Sequence, residues 1–138
     1  MSTEMNKTVA QRYFAEIWNA GNAAAIDTLL TPDAIGHVPG GTLQGRDLLK
    51  QRVQMLGSIY TAPCFTVEET LAEGDKVLAR WTFRGRHSGE YMGAAAVGKE
   101  VTVTGMNLFR IRDGQISELW LNADDLGELQ QLGVVATA

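Results

Sequence analysis

Three side chains in this sequence stand out as able to move a proton, His37, His87 and Asp124, and their neighbours indicate which chemistry each one suits. The chain has two histidines, His37 and His87. His37 stands between a short apolar run and the turn Pro39-Gly-Gly-Thr42. Histidine titrates near neutral pH, so His37 is a candidate general base; the alternative is an imidazole that ties down the turn by a hydrogen bond. His87 lies in a glycine-rich stretch and reads either as a mobile lid contact or proton donor to a bound ligand, or as a solvated loop residue. Asp124 directly precedes the last helical pattern. An aspartate stripped of water becomes a stronger base, which makes Asp124 the best carboxylate for taking a proton next to a carbonyl. Aspartate is also a preferred helix N-cap, a role worth about 1 kcal/mol. Both readings stand at Asp124.

Other side chains could hold a ligand rather than transform it. Arg80 sits in a strand-like run, where it could grip a carboxylate or enolate oxygen with two donors. The alternative, which the sequence favours, is an ion pair with Glu69 or Glu118 across strands. Asn107 could donate to an oxyanion, or bond within the sheet. Of the three tryptophans, Trp18 and Trp120 are expected in the wall of a pocket for a flat aromatic or polycyclic ligand, and core packing is the alternative. Asn122 and Glu118 share the strand face of Trp120 by the period of two, which makes Asn122 a further ligand contact. No spacing ties the histidines to a carboxylate as metal ligands, so no metal is expected. The single Cys64 excludes an internal disulfide and suits a structural thiol in a reducing compartment.

These residues need elements to position them, and the run from Val101 to Gly133 organises the rest. Residues 101–111 read as a strand, Arg112-Asp113-Gly114 as a hairpin turn, and 115–121 as the partner strand. Leu126, Leu129 and Leu132 repeat at helical spacing, and Gly133 stops that helix. Upstream, Val9, Tyr13, Phe14, Ile17 and Trp18 predict an amphipathic helix over 5–19. Asn22 caps a second, short helix with Ile26, Leu29 and Leu30 inward. Thr31-Pro32-Asp33 predicts a turn and 34–38 a short strand. Leu49, Val53, Leu56 and Tyr60 predict a third helix over 46–60. Phe65, Val67, Glu69 and Leu71 alternate as a strand. Val77, Ala79, Trp81 and Phe83 then share one face of the next, with Arg80 and Thr82 on the other. Residues 85–99 read as a loop and 134–138 as a frayed tail. Helices come first and antiparallel strands after. The expected fold class is α+β, with helices covering one face of a strongly curved sheet around an apolar interior.

The bulk properties exclude several functions. At 138 residues the chain is expected to form one domain, 1–138, with a core large enough to need no staple. A net charge of −4 gives no footing for nucleic acid. The N-terminus lacks the apolar core of a signal peptide and no run approaches a membrane span, so a cytoplasmic protein without nucleic-acid or membrane partners is expected.

Several short motifs, in order, resemble those of SnoaL-like proteins. They are Trp18-Asn-Ala-Gly21, Pro32-Asp33, His37, Gly45-Arg46 and Glu73-Gly-Asp-Lys-Val77 with Arg80-Trp81. Gly85-Arg-His-Ser-Gly-Glu90, Gly98-Lys99, Arg110-Ile-Arg-Asp-Gly114, Glu118-Leu-Trp120, Asp124 and Gln130-Gln-Leu-Gly133 continue the series. The resemblance implies an NTF2-like cone, usually dimeric, and kinship with polyketide cyclases that close a ring by intramolecular aldol condensation. In such enzymes an acidic residue in an apolar cavity removes a proton next to a carbonyl, and no metal or organic cofactor takes part. Some relatives are hydroxylases. The chain departs from the cyclase pattern at one important place: the acid/base carboxylate aligns with Leu121, and a histidine one strand earlier aligns with Asn107.

The expected function is a cofactor-independent, cyclase-type enzyme acting on a small apolar carbonyl compound. Asp124 and His37 are its candidate bases. Trp18, Arg80, His87, Asn107, Trp120 and Asn122 are its candidate substrate contacts. The alternatives are a carrier that kept the cone and lost the carboxylate, and a cofactor-free hydroxylase. A homodimer through the outer sheet face is expected, because both faces of 77–83 and 101–111 carry apolar residues.

Overall fold

The computed structural model describes residues 2–136. The Ser2 side chain accepts from the Met5 amide at 3.1 Å and so opens helix α1, Thr3–Arg12. The apolar stripe then continues in a π-helical segment, Tyr13–Asn19, instead of in one α-helix to residue 19. Its wider turn, marked by the Ala20 amide reaching the Ala15 carbonyl at 3.0 Å, aligns residues five apart. Tyr13 and Trp18 are brought together this way, with ring centroids 6.4 Å apart. Helix α2, Ala24–Leu29, begins where Asn22 Oδ1 accepts from the Ala24 amide. Helix α3 spans Arg46–Ile59.

Six strands follow or interleave: β1 Leu30–Val38, β2 Gly41–Gln44, β3 Tyr60–Glu73, β4 Lys76–His87, β5 Glu100–Arg112 and β6 Gln115–Ala123. Their order is β2-β1-β6-β5-β4-β3. The expected antiparallel meander holds from β3 to β6, but β1 pairs with β6 in parallel. Helix α4, Asp125–Leu132, closes the chain, with Gly133 in the left-handed conformation as its stop.

Three sequence expectations are corrected. Thr31-Pro32-Asp33 is not a turn but part of β1, whose pairing with β6 is irregular between Leu30 and Ile35; the irregularity accommodates a proline that cannot donate to the ladder. His87 is not in a loop: β4 runs on through Gly85 to His87, and His87 exchanges backbone bonds with Gly98 and Lys99. Val134 and Val135 are not frayed, since both amides donate to the Leu129 carbonyl; residues 137 and 138 of the expected tail lie outside the described residues.

The alternation within the sheet separates two faces. On the concave face Val77, Ala79, Trp81 and Phe83 are buried with Phe109, Ile111 and Ile116 against Tyr13, Phe14 and Ile17. Burying one such large apolar side chain is worth roughly 1.5–3 kcal/mol. On the convex face one cross-strand row reads Leu71, Leu78, Leu108, Trp120 and His37 from β3 to β1. A neighbouring row reads Glu69, Arg80, Met106 and Asn122. Among the described residues no helix is long and apolar enough to cross a membrane.

Candidate functional site

The helices do not fill the concave face completely. A cavity of about 140 Å³ remains between the π-helical segment, α3, α4 and the sheet. Its walls are mainly apolar, with Phe14, Trp18, Leu49, Phe65 and Leu119 among them. A second hollow of about 300 Å³, bordered by Tyr60, Tyr91 and Met92, adjoins it as a vestibule. Trp18, Arg52, Leu56, Leu121, Asp125 and Glu128 border both spaces. Polar groups are therefore concentrated at the junction.

One amide sits in the sheet wall of the cavity. Asn107 is almost wholly buried on β5, and its Oδ1 accepts from Trp81 Nε1 at 2.9 Å. That bond fixes which way the amide points and leaves Nδ2 as the free donor of a cavity-lining residue. The reach of Trp81 depends on its partner across the ladder. Trp81 faces Gly105, and a Cβ there would stand 2.4 Å from the indole ring. The glycine leaves room for the indole to cross β5 and reach Asn107. Leu121 is the cross-strand partner of Asn107, and both line the cavity. The two positions that the resemblance assigns to acid/base work thus face the hollow, as a leucine and an amide.

Carboxyls reach the cavity from α4 instead. Asp125 and Glu128 lie three residues apart on that helix, hence on one face, and both line the cavity. Tyr60 Oη donates to Glu128 Oε2 at 2.6 Å. Burial pushes the Glu128 carboxyl above the usual range; the Tyr60 hydrogen bond and the positive charge of Arg52 oppose this, while Asp125 adds to it. Burial likewise raises Asp125, against the pull of Arg52. Tyr60 itself is raised, first by burial and then by its bond to Glu128, so it stays protonated as a donor. Burial also pushes Tyr13 up to about 12. Gly85 lets the pair form: a Cβ there would come within 3.0 Å of the Tyr60 Cβ.

The structure gathers only some of the residues singled out from sequence. Trp18 and Asn107 line the cavity. Trp120 does not: it is on the convex face, stacked on His37 with centroids 5.2 Å apart and with the Arg110 guanidinium 5.7 Å from its ring. His37 Nε2 lies 2.6 Å from Glu118 Oε2 there, away from the cavity. Arg80 pairs with Glu69 at 2.8 Å on the same outer face, the cross-strand alternative. Asn122 is exposed beside Met106. His87 is 1% exposed, with Nε2 lacking a hydrogen-bond partner, and does not border the cavity. Asp124 is exposed as the N-cap of α4, its Oδ1 accepting from the Gly127 amide at 3.0 Å. Arg52, Tyr60, Asp125 and Glu128 were not singled out. The available signal was the three-residue spacing of Asp125 and Glu128 directly after the strand that carries Leu121. Among the described residues no group of three or more His, Cys, Asp or Glu could hold a metal ion.

Comparison with solved structures relates this geometry to known proteins. IdmH from Streptomyces antibioticus, named as a candidate polyketide cyclase, is 31% identical with a TM-score of 0.85, over 93% of this chain and 98% of that one. AclR from Streptomyces galilaeus, named as a candidate hydroxylase, is 23% identical with a TM-score of 0.88, over 99% of this chain and 86% of that one. A protein of ketosteroid isomerase-like fold from Catenulispora acidiphila, in complex with trimethylamine, gives 20% identity and a TM-score of 0.77, over 91% and 92%. The curved six-stranded sheet with its helices is thus the ketosteroid isomerase-like, or NTF2-like, fold. No curated protein matches the chain in sequence. The family of SnoaL-like polyketide cyclases matches residues 8–132, nearly the whole length and every element that encloses the cavity, and the chain belongs to that family.

Proposed function

We propose that the protein is a cofactor-independent enzyme of the cyclase type, which removes a proton next to the carbonyl of a small apolar compound held in the cavity. The observation that carries this reading is Glu128, a carboxyl raised by burial at the edge of an apolar hollow and oriented by the Tyr60 hydroxyl. A base whose strength is raised by desolvation suits abstraction of a carbon-bound proton near neutral pH. Glu128 takes the proton, Tyr60 holds the carboxylate, and Asn107 Nδ2 donates to the oxygen on which negative charge develops. Trp18 packs against the apolar body of the substrate. With leucine at position 121, the carboxylate function passes from the sheet to helix α4.

The test is incubation with an aromatic β-keto ester that can close a ring, in deuterated water. Deuterium exchange at the activated carbon faster than in enzyme-free solution, followed by ring closure, is expected. Binding without acceleration of exchange or ring closure would favour the alternative of a carrier, which Leu121 supports.

The homodimer is also proposed. The row Leu71, Leu78, Leu108 and Trp120 crosses four strands of the convex face, and Leu71 and Met106 are 63% and 46% exposed. A stripe of this kind suits a second copy of the chain. Light scattering at micromolar concentration should give twice the chain mass; a monomer mass would end this proposal.

A further inference from the structure

Arg52 has no role in the chemistry proposed above. It projects from the second turn of α3, is half-buried, and borders both the cavity and the vestibule. Among the described residues it forms no ion pair, a property it shares with Arg84 and Arg86, but of these three only Arg52 borders a hollow. A guanidinium carries five donors in a planar fork, and those of Arg52 remain accessible from the hollows it borders. The two carboxyls that border the same hollows do not take them: Glu128 is engaged by Tyr60, and no ion pair joins Arg52 to Asp125 among the described residues. The positive charge is nevertheless felt in the hollow, since it opposes the upward shifts of Tyr13, Asp125 and Glu128.

We propose that Arg52 is a carboxylate-binding subsite, so that the favoured ligand is an apolar, aromatic-sized carboxylic acid and not its ester. This rests on the reading of the cavity as the substrate site. The fork of Arg52 matches the two oxygens of one carboxylate. Arg52 is the only cation that borders either hollow, among the described residues, and it faces two carboxyls. That balance suits a monoanion and not a phosphate. The apolar body of the acid lies against Trp18 and Leu56, which border the same junction.

Titration calorimetry with 2-naphthoate and with methyl 2-naphthoate separates the subsite from the cavity. Wild type should bind the acid about tenfold more tightly than the ester, the worth of one charge-assisted pair. Arg52→Gln should remove that difference and leave the ester affinity unchanged. Arg52→Lys, which keeps the charge but not the fork, should fall between, and thermal melts should show that both variants are folded. Equal affinity of wild type for acid and ester, or an unchanged acid affinity in Arg52→Gln, would overturn the subsite while leaving the cavity as a ligand site. Failure of both compounds to bind folded wild type would overturn the subsite and the cavity reading together.

Discussion

The two faces of the sheet carry the same kinds of residue in different states. On the convex face Glu118 meets both His37, at 2.6 Å, and Arg110, at 3.5 Å, and Arg110 also approaches Asp75. The charges of this cluster each have a counter-charge within a few ångströms, and the cluster is partly open to water. On the concave face Glu128 has only a neutral hydroxyl, and Asp125 and Arg52 form no ion pair among the described residues. Chemistry-bearing residue types are thus not a guide to the site by themselves. Screening by water and close counter-charges make the outer cluster suited to holding strands together, whereas desolvation makes the inner carboxyls suited to proton transfer.

The sharpest way to break this contrast is to remove one carboxylate from each face. Glu128→Gln keeps the size of the side chain and can still accept from Tyr60, but it cannot take a proton. Its turnover should fall about 100-fold or more, the usual contribution of a general base. Glu118→Gln should stay within about twofold of wild type. The same contrast has a pH signature. Turnover should drop as pH falls through the raised Glu128 value, because the base must be ionised. Stability behaves in the opposite sense. A carboxyl raised in the folded state contributes stability fully present below its unfolded value and lost as pH rises through the folded one. Glu128→Gln should therefore melt higher than wild type at neutral pH.

A smaller effect is expected from the wall that holds Asn107. Gly105→Ala would drive a methyl into the Trp81 indole, which a Cβ would approach to 2.4 Å. Overpacking of this kind costs about 1–3 kcal/mol. If the indole moves, Asn107 loses the bond that orients its amide, so turnover should fall further than the melt alone explains. An unchanged rate in a destabilised Gly105→Ala protein would remove Asn107 from the mechanism.

Much of this architecture is legible in the sequence, and the gaps have physical causes. The alternation of Val77, Ala79, Trp81 and Phe83 marks the buried side of β4 because sheet periodicity is strict. Periodicity groups Glu118, Trp120 and Asn122 correctly but does not say which face looks inward. A register irregularity between Arg110 and Ile111 puts Leu119, Leu121 and Ala123 on the concave side instead. Trp120 consequently leaves the pocket and takes His37 with it. Asp125 and Glu128 were hidden for a different reason. The leucine repeat marks their helix and the three-residue spacing puts both carboxyls on one face, but only the tertiary fold creates the cavity toward which that face turns.

Tyr60→Phe sharpens the comparison more gently. Its hydroxyl is one of the groups that hold the Glu128 value down, so its loss should raise that value further. The acid limb of the rate profile should move to higher pH, and the cost in stability should be about 1 kcal/mol, the worth of one hydrogen bond. An unmoved limb would mean that Tyr60 and Glu128 are a structural pair only.

The smallest effect belongs to Asp124, the carboxylate that sequence favours most. It lies one residue from Asp125, yet its surroundings are those of the convex cluster: exposed, with its side chain committed to backbone. Oδ1 accepts from the Gly127 amide, while its own amide donates to the Thr104 carbonyl at 2.9 Å and anchors α4 to β5. Asparagine caps a helix about as well as aspartate, so Asp124→Asn should keep the fold, whereas Asp124→Ala should lose about 1 kcal/mol. Removing the charge also relieves one upward push on the Asp125 carboxyl. The rate of Asp124→Asn at neutral pH should remain within about twofold of wild type, since a cap outside the cavity takes no proton from substrate. A folded Asp124→Asn protein with turnover lost as fully as in Glu128→Gln would mean that the helix end opens toward the substrate, and that the base is the cap.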